Sequence, residues 1–142
     1  MPHQSIDRNK MENETYQKAF QDWLSYTETH DSSLLSDLLA EDVVFHSPVV
    51  FTPQVGKKIT FLYLRAAVQV LKEFQYTQMI RDKGQWALRF ESKIGEVKVI
   101  GFDMITLNEQ GKIVNFEVLV RPAKAVMAIQ QAMAEMLEKL KG

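Results

Sequence analysis

The stretch Gly101-Phe-Asp-Met-Ile-Thr-Leu-Asn-Glu-Gln-Gly-Lys-Ile-Val-Asn-Phe-Glu-Val-Leu-Val-Arg121 reads as a long β-hairpin. Asn108-Glu109-Gln110-Gly111 is its turn: an Asx start, two tolerant polar residues, and a glycine where φ is expected to be positive. Ahead of it, Val97, Val99, Ile100, Phe102, Met104 and Ile105 put apolar groups on both faces of one strand, so both faces are expected to be covered. Into this apolar strand the chain sets one carboxylate, Asp103. The expectation is a scaffold around a small apolar pocket with Asp103 in its wall.

Register decides what Asp103 meets. A four-residue turn places it opposite Phe116, on a face with Val99, Gly101, Val114, Val118 and Val120. A three-residue loop with a bulge at Gly111 sets it against Glu117 instead. In either case a carboxyl on an apolar wall is desolvated, which raises its pKa. A hydrogen bond from a buried Trp or Tyr is the alternative, purely structural use of such a group.

Upstream, Tyr16, Phe20, Trp23 and Leu24 fall at helical spacing within Glu12 to Thr29, and His30-Asp31-Ser32 breaks that helix. Asp31 or Ser32 can cap a short second helix with the stripe Leu34, Leu35, Leu38 and Leu39. Val43 to Ser47 is a strand ended by Pro48, and Val49 to Val55 is a loop. A third helix runs from Lys57 to about Phe74. From Tyr76 the period changes to two: strands at Tyr76–Arg81 and Gln85–Lys93 flank the turn Asp82-Lys83-Gly84. After Arg121, Pro122 suits the first position of a last helix reaching about Lys139. Three helices, a meander of antiparallel strands and a final helix make an α+β order. Residues 1–10 are polar and expected to fray; residues 11–142 form one domain.

Composition narrows the function classes. A chain that is 46% hydrophobic and 25% charged matches an ordinary globular protein, and a net charge of −1 supplies no basic field for nucleic acid or anionic lipid. No cysteine means no disulfide and no thiolate chemistry. No histidines stand at metal-ligand spacing, and neither a signal-type apolar core nor a run of about 18 apolar residues occurs. A cytoplasmic protein without cofactor, nucleic acid or membrane partner is expected. Phe102, Met104 and Leu119 on the outer sheet face point to a homodimer, with Glu117 and Arg121 as an ion pair on that side.

The run His30-Asp31 … Leu38-Leu39-Ala40-Glu41-Asp42-Val43-Val44-Phe45-His46-Ser47-Pro48 … Pro53 … Gly56 resembles the front half of nuclear transport factor 2-like proteins. The SnoaL-like and ketosteroid-isomerase branches are the nearest in pattern. Gly101-Phe102-Asp103 … Asn108 to Ile113 is similar to their penultimate hairpin. The resemblance spans Tyr16 to Arg121. It implies a cone-shaped (cystatin-like) fold of three N-terminal helices, a strongly curved antiparallel sheet and here an extra C-terminal helix. It also implies where the chemistry would sit. The isomerase general base is an Asp directly before the first strand's Pro, a place held by Ser47. The oxyanion-donating Tyr is replaced by Trp23, whose indole N–H can donate in its stead. The second oxyanion donor, an Asp that ketosteroid isomerase holds protonated, is kept as Asp103. Sister epoxide hydrolases need an Arg where Gly101 stands, which argues against that activity.

Asp103, Ser47 and His46 are therefore the candidate catalytic residues, with Trp23, Phe61, Trp86, Phe116 and Val118 as candidate ligand-binding residues. His46 and Ser47 are neighbours on a strand and point to opposite faces, so only one can enter a cavity, and the resemblance favours Ser47. Met127, Met133 and Met136 could form an adaptable lid. Two functional readings follow. One is an isomerase, cyclase or dehydratase acting on an apolar oxygenated ligand, with Asp103 as acid or oxyanion donor. The other is a non-catalytic homodimer that binds a small apolar molecule.

Overall fold

The computed structural model describes residues 2–141. The side chains of residues 1–9, His3 among them, lie outside the described part, and with them the expectation that the first ten residues fray. The elements are α1 (Pro2–Thr29), α2 (Ser32–Leu38), β1 (Leu39–His46), β2 (Gln54–Val55), α3 (Lys57–Val70), β3 (Lys72–Asp82), β4 (Gln85–Ile94), β5 (Val97–Leu107), β6 (Ile113–Arg121) and α4 (Ala123–Lys141). The α+β order is as read from the sequence. Asp31 caps α2 by accepting from Ser33 N–H at 3.0 Å.

Several boundaries differ from expectation: α1 begins at Pro2 rather than Glu12, β2 falls inside the expected Val49 to Val55 loop, and β3 begins at Lys72 rather than Tyr76. Leu39 leaves the second helix to begin β1, and α3 stops at Val70, so Phe74 belongs to a strand. Phe74 stacks on Phe90 across the sheet, centroids 5.0 Å apart, and this packing overrides its fit to the helical stripe.

One six-stranded sheet has the order β2-β1-β6-β5-β4-β3. All neighbours are antiparallel except β1 and β6, which run parallel; the sheet is mixed where a fully antiparallel one was expected. Two bulges bend it. Thr77 is the extra residue on β3, between the pairs Tyr76–Phe90 and Gln78–Arg89. Val114 is the extra residue on β6, between Ile113–Leu107 and Asn115–Thr106. A bulge sharpens twist and curls a strand, so the sheet wraps toward the helices. Gly101 lies in the bend: a Cβ there would fall 2.5 Å from the Leu119 carbonyl oxygen and 2.5 Å from the Phe90 ring, so no side chain fits.

The core divides in two. The first cluster joins α1, α2, β1 and α3 to one end of the sheet, through Phe20, Trp23, Tyr26, Leu35, Phe45, Trp86, Leu88 and Ile105. The second joins Phe90 and Val99 to Ala125 and Ile129 of α4. Glu117 and Arg121 share the exposed outer face, about 13 Å apart along the strand, and no ion pair joins them within the described chain. No helix among the described residues is long and apolar enough to cross a membrane.

Candidate functional site

Asp103 sits at the centre of β5 on the inner face, 6% exposed. Its cross-strand partners are Leu88 on β4 and Val118 on β6. Neither anticipated partner, Phe116 or Glu117, is opposite it. The loop after Leu107 is one residue longer than a four-residue turn, since Leu107 pairs with Ile113, and the bulge at Val114 adds another. Two added residues restore the parity, so Phe116, Val118 and Val120 still share a face with Asp103 while each slides one pair along. Asn108 organises the loop by accepting from the Gln110 and Lys112 amides, and Gly111 takes φ +77°.

A chain of hydrogen bonds ends on the carboxyl. Tyr76 Oη–H donates to Asp103 Oδ2 at 2.5 Å, and Trp23 Nε1–H donates to Tyr76 Oη at 2.8 Å. Trp23 is thus committed to Tyr76 rather than aimed at a ligand oxygen. Asp103 Oδ1 has no hydrogen bond from the described residues. Because no buried side-chain oxygen there lacks a partner, Oδ1 is the atom that faces open space. Burial pushes the Asp103 carboxyl from 3.8 up to about 7, against the lowering effect of the Tyr76 hydrogen bond. Tyr76 is driven well above its ordinary value, first by burial and then by the charge of Asp103, so it remains a proton donor. Near neutral pH the site holds Asp103 both as acid and as carboxylate.

That open space is a cavity of about 270 Å³ between the two core clusters. The sheet contributes Phe90, Asp103, Phe116, Val118 and Val120; β1 and the following loop contribute Phe45 and Ser47 to Val50. Helix α1 supplies Trp23, Thr27 and the adjoining His30; α3 supplies Tyr63, Leu64, Ala67, Val68 and Val70, followed by its cap Leu71; α4 supplies Ile129, Gln130, Met133, Ala134 and Leu137. Of the residues singled out from sequence, Asp103, Ser47, Trp23, Phe116 and Val118 meet around this cavity. Ser47 Oγ accepts from Val49 N–H at 3.0 Å, which leaves its hydroxyl proton free.

Three candidates do not reach it. His46 is on the opposite face, its Nε2 3.0 Å from Asn115 Oδ1, as strand alternation requires once Ser47 points in. Trp86 shares the inner face with Phe90 but stands four residues further along β4; it packs edge-on against Phe20 and donates to the Lys83 carbonyl. Phe61 packs against the first core cluster under the Arg65 guanidinium. Of the three methionines, Met133 alone lines the cavity; Met127 is 69% exposed. Among the described residues no cluster of three His, Asp or Glu side chains is placed to hold a metal ion.

Sequence reasoning missed Tyr76, His30, Tyr63 and Gln130. Tyr76 carried a usable signal: it opens a strand with an aromatic ring, and a tyrosine hydroxyl that becomes buried needs a partner. His30 reads only as a helix terminator, and nothing in the sequence says that it borders the cavity.

A steroid delta-isomerase from Pseudomonas aeruginosa superposes with a TM-score of 0.85 at 30% identity, over 89% of this chain and 93% of that one. The chain belongs to the nuclear transport factor 2-like superfamily. The likeness to the steroid delta-isomerase relates it to the ketosteroid-isomerase branch. An uncharacterised protein with a cystatin-like fold from Silicibacter pomeroyi is similar at 38% identity, TM-score 0.78, over 82% of this chain and 83% of that one. A SnoaL-like polyketide cyclase candidate from Shewanella denitrificans shares the fold at 15% identity, TM-score 0.58, over 87% of this chain and 97% of that one. No protein-family model and no curated protein matches the sequence.

Proposed function

We propose that this protein is a small-molecule enzyme of isomerase, cyclase or dehydratase type, acting on an apolar oxygenated ligand with Asp103 as acid or oxyanion donor. We place it in the cytoplasm, as a homodimer joined through the outer sheet face that carries Phe102, Met104 and Leu119. One observation carries the catalytic reading: a buried carboxyl with one oxygen tied to Tyr76 and the other turned into an apolar cavity. Protonated Asp103 donates from Oδ1 to a ligand carbonyl. When the α-carbon yields its proton to a water or buffer base entering from solvent, negative charge grows on that carbonyl oxygen, and a donor already in place in an apolar site stabilises it more than water would. Tyr76, donating to Oδ2, holds the carboxyl in position and damps charge on it. The likeness to the Pseudomonas aeruginosa steroid delta-isomerase supports a double-bond migration of this kind.

A β,γ-unsaturated cyclic ketone tests the reading, because moving its double bond into conjugation changes the ultraviolet absorbance. We expect turnover by the wild type and its loss in Asp103→Asn; equal rates in both would end the proposal.

Ser47 favours a second reading, a binding protein without chemistry. At the position of the isomerase base it offers a hydroxyl, a poor base without an activating partner, and its Oγ is occupied by the Val49 amide. A tightly held ligand found by native mass spectrometry, with no ketone turnover, would select this reading. For the homodimer, light scattering at low micromolar concentration that shows only monomer would remove that part.

A further inference from the structure

We propose that the cavity accelerates the decarboxylation of an apolar β-keto acid, a reaction that needs a proton donor at the ketone oxygen and no base. This rests on the reading of Asp103 as a donor given above and adds a further activity and substrate class to it.

The cavity wall offers donors where a proton abstraction would need an acceptor. Among its described lining residues Asp103 and His30 are the carboxyl and the imidazole, and no Glu, Lys or Arg joins them. Asp103 cannot donate to a carbonyl and also take the proton beside it, because Oδ2 is engaged by Tyr76 and Oδ1 alone faces the cavity. Ser47 and Tyr63 present hydroxyls, which are poor bases without an activating partner. Ser47 Oγ already accepts from the Val49 amide, and the Tyr63 ring is stacked on Phe45. The Thr27 hydroxyl donates to the Leu24 carbonyl, and Gln130 is a neutral amide. His30 stands at the exposed end of α1, seven residues beyond Trp23, the α1 residue joined through Tyr76 to the carboxyl. Seven residues are about 10 Å of helix, whereas the α-carbon of a bound ketone is two bonds from the oxygen that Asp103 holds. The donor is built in and the base is not.

Electrons can reach the ketone oxygen without a base when the group lost is carbon dioxide instead of a proton. The bond from the α-carbon to the carboxylate breaks, and its electron pair becomes the double bond of an enol. The ketone oxygen takes the proton from Asp103 Oδ1, and carbon dioxide leaves. Water then protonates the α-carbon while the enol hydroxyl returns its proton to Asp103. The net change is one β-keto carboxylate and one solvent proton going to ketone and carbon dioxide. The rest of the wall favours this direction. A substrate carboxylate meets no cation beside Phe90, Val118 and Val120, and an unpaired charge in apolar surroundings is costly. Carbon dioxide is neutral, and the charge moves to the oxygen that Asp103 serves, so the site opposes the bound substrate more than the transition state.

The test substrate is 2-methyl-1-tetralone-2-carboxylate, a β-keto acid with no α-hydrogen, so that enolisation by proton loss cannot contribute. We expect the wild type to release 2-methyl-1-tetralone on the order of a hundredfold faster than buffer alone, the scale of one oxyanion donor. Asp103→Leu, which cannot donate, should return the rate to that of buffer. If circular dichroism shows this variant unfolded, Asp103→Asn, a far weaker acid, should lower the acceleration at least tenfold. Above about pH 5 the substrate is already ionised, so the acceleration should fall as pH rises through about 7, where Asp103 loses its proton. Facing Asp103 are Tyr76 from β3, Leu88 from β4 and Val118 from β6; Tyr76 stays protonated over this range, and α4 brings no ionisable side chain to the cavity. A rate equal to buffer, an acceleration that survives both substitutions, or one that rises with pH would overturn the decarboxylation. The reading of Asp103 stands in those cases if ketone isomerisation is still lost in Asp103→Asn, and both fall if neither substrate is turned over.

Discussion

The inner face of the sheet is covered at one end by α1 and at the other by α4, and the two covers have opposite results. Beneath the stretch of α1 from Phe20 to Trp23, the side chains of Trp86, Leu88 and Ile105 meet Phe20, Trp23 and Tyr26 and fill the space, and the cavity begins only at Trp23. Beneath α4, Phe90, Val99, Val118 and Val120 meet Ala125, Ile129, Met133 and Ala134, and about 270 Å³ stays open. Both ends obey the same in-out alternation along the strands. Alternation therefore decides which face is buried, while the size of the covering side chains decides whether it is solid or hollow. Asp103 lies where one regime gives way to the other, with Tyr76 packed against both clusters.

The comparison breaks most sharply at Trp86. Trp86→Ala in the filled end should cost up to about 5 kcal/mol by urea denaturation, as a large side chain is lost from tight packing. A cost below about 1 kcal/mol would mean that end is not solid.

Asp103 gives the next effect, through pH. Its folded pKa is raised from 3.8 to about 7, so between these values the native state holds a proton that the unfolded state has released. Stability is then fully present at low pH and falls as pH rises toward the folded value, by about 4 kcal/mol in all. Urea melts from pH 4 to pH 8 should show this loss in the wild type and not in Asp103→Asn. Parallel profiles would mean that the carboxyl is not desolvated.

Enlarging a valine separates the two ends directly. Val43 is wholly buried in the filled cluster, and Val43→Phe should cost about 3 kcal/mol from overpacking. Val120→Phe, growing into the cavity, should cost less than about 1 kcal/mol. Equal costs would show that the cavity does not accept a ring. Last, Tyr76→Phe should cost about 2 kcal/mol, the scale of a hydrogen bond to an ionisable group. It should also move Asp103 above 7, since the Tyr76 bond is what lowers it; a carboxyl carbon NMR titration reads that shift.

How far the chain was legible follows the same division. Helical stripes such as Leu34, Leu35 and Leu38, and the two-residue period of Trp86, Leu88 and Phe90, place elements and faces directly, so the architecture could be read. Height along a strand is not encoded in that period. Trp86 and Phe90 look alike in sequence, yet one fills the core and the other lines the cavity. The Tyr76–Asp103 bond joins residues 27 apart, and no local pattern announces such a pair. The bulges at Thr77 and Val114 involve ordinary strand formers and leave no turn signature. His30 announces only that a helix stops.

Val114 carries one last consequence. Because it has no partner across the ladder, deleting it would close the ladder without moving a pair: Asn115 would follow Ile113 just as Thr106 precedes Leu107, and Phe116, Val118 and Val120 would keep facing inward. What would go is the local curl, so the strand could be straightened here without rewriting which side chains it hides.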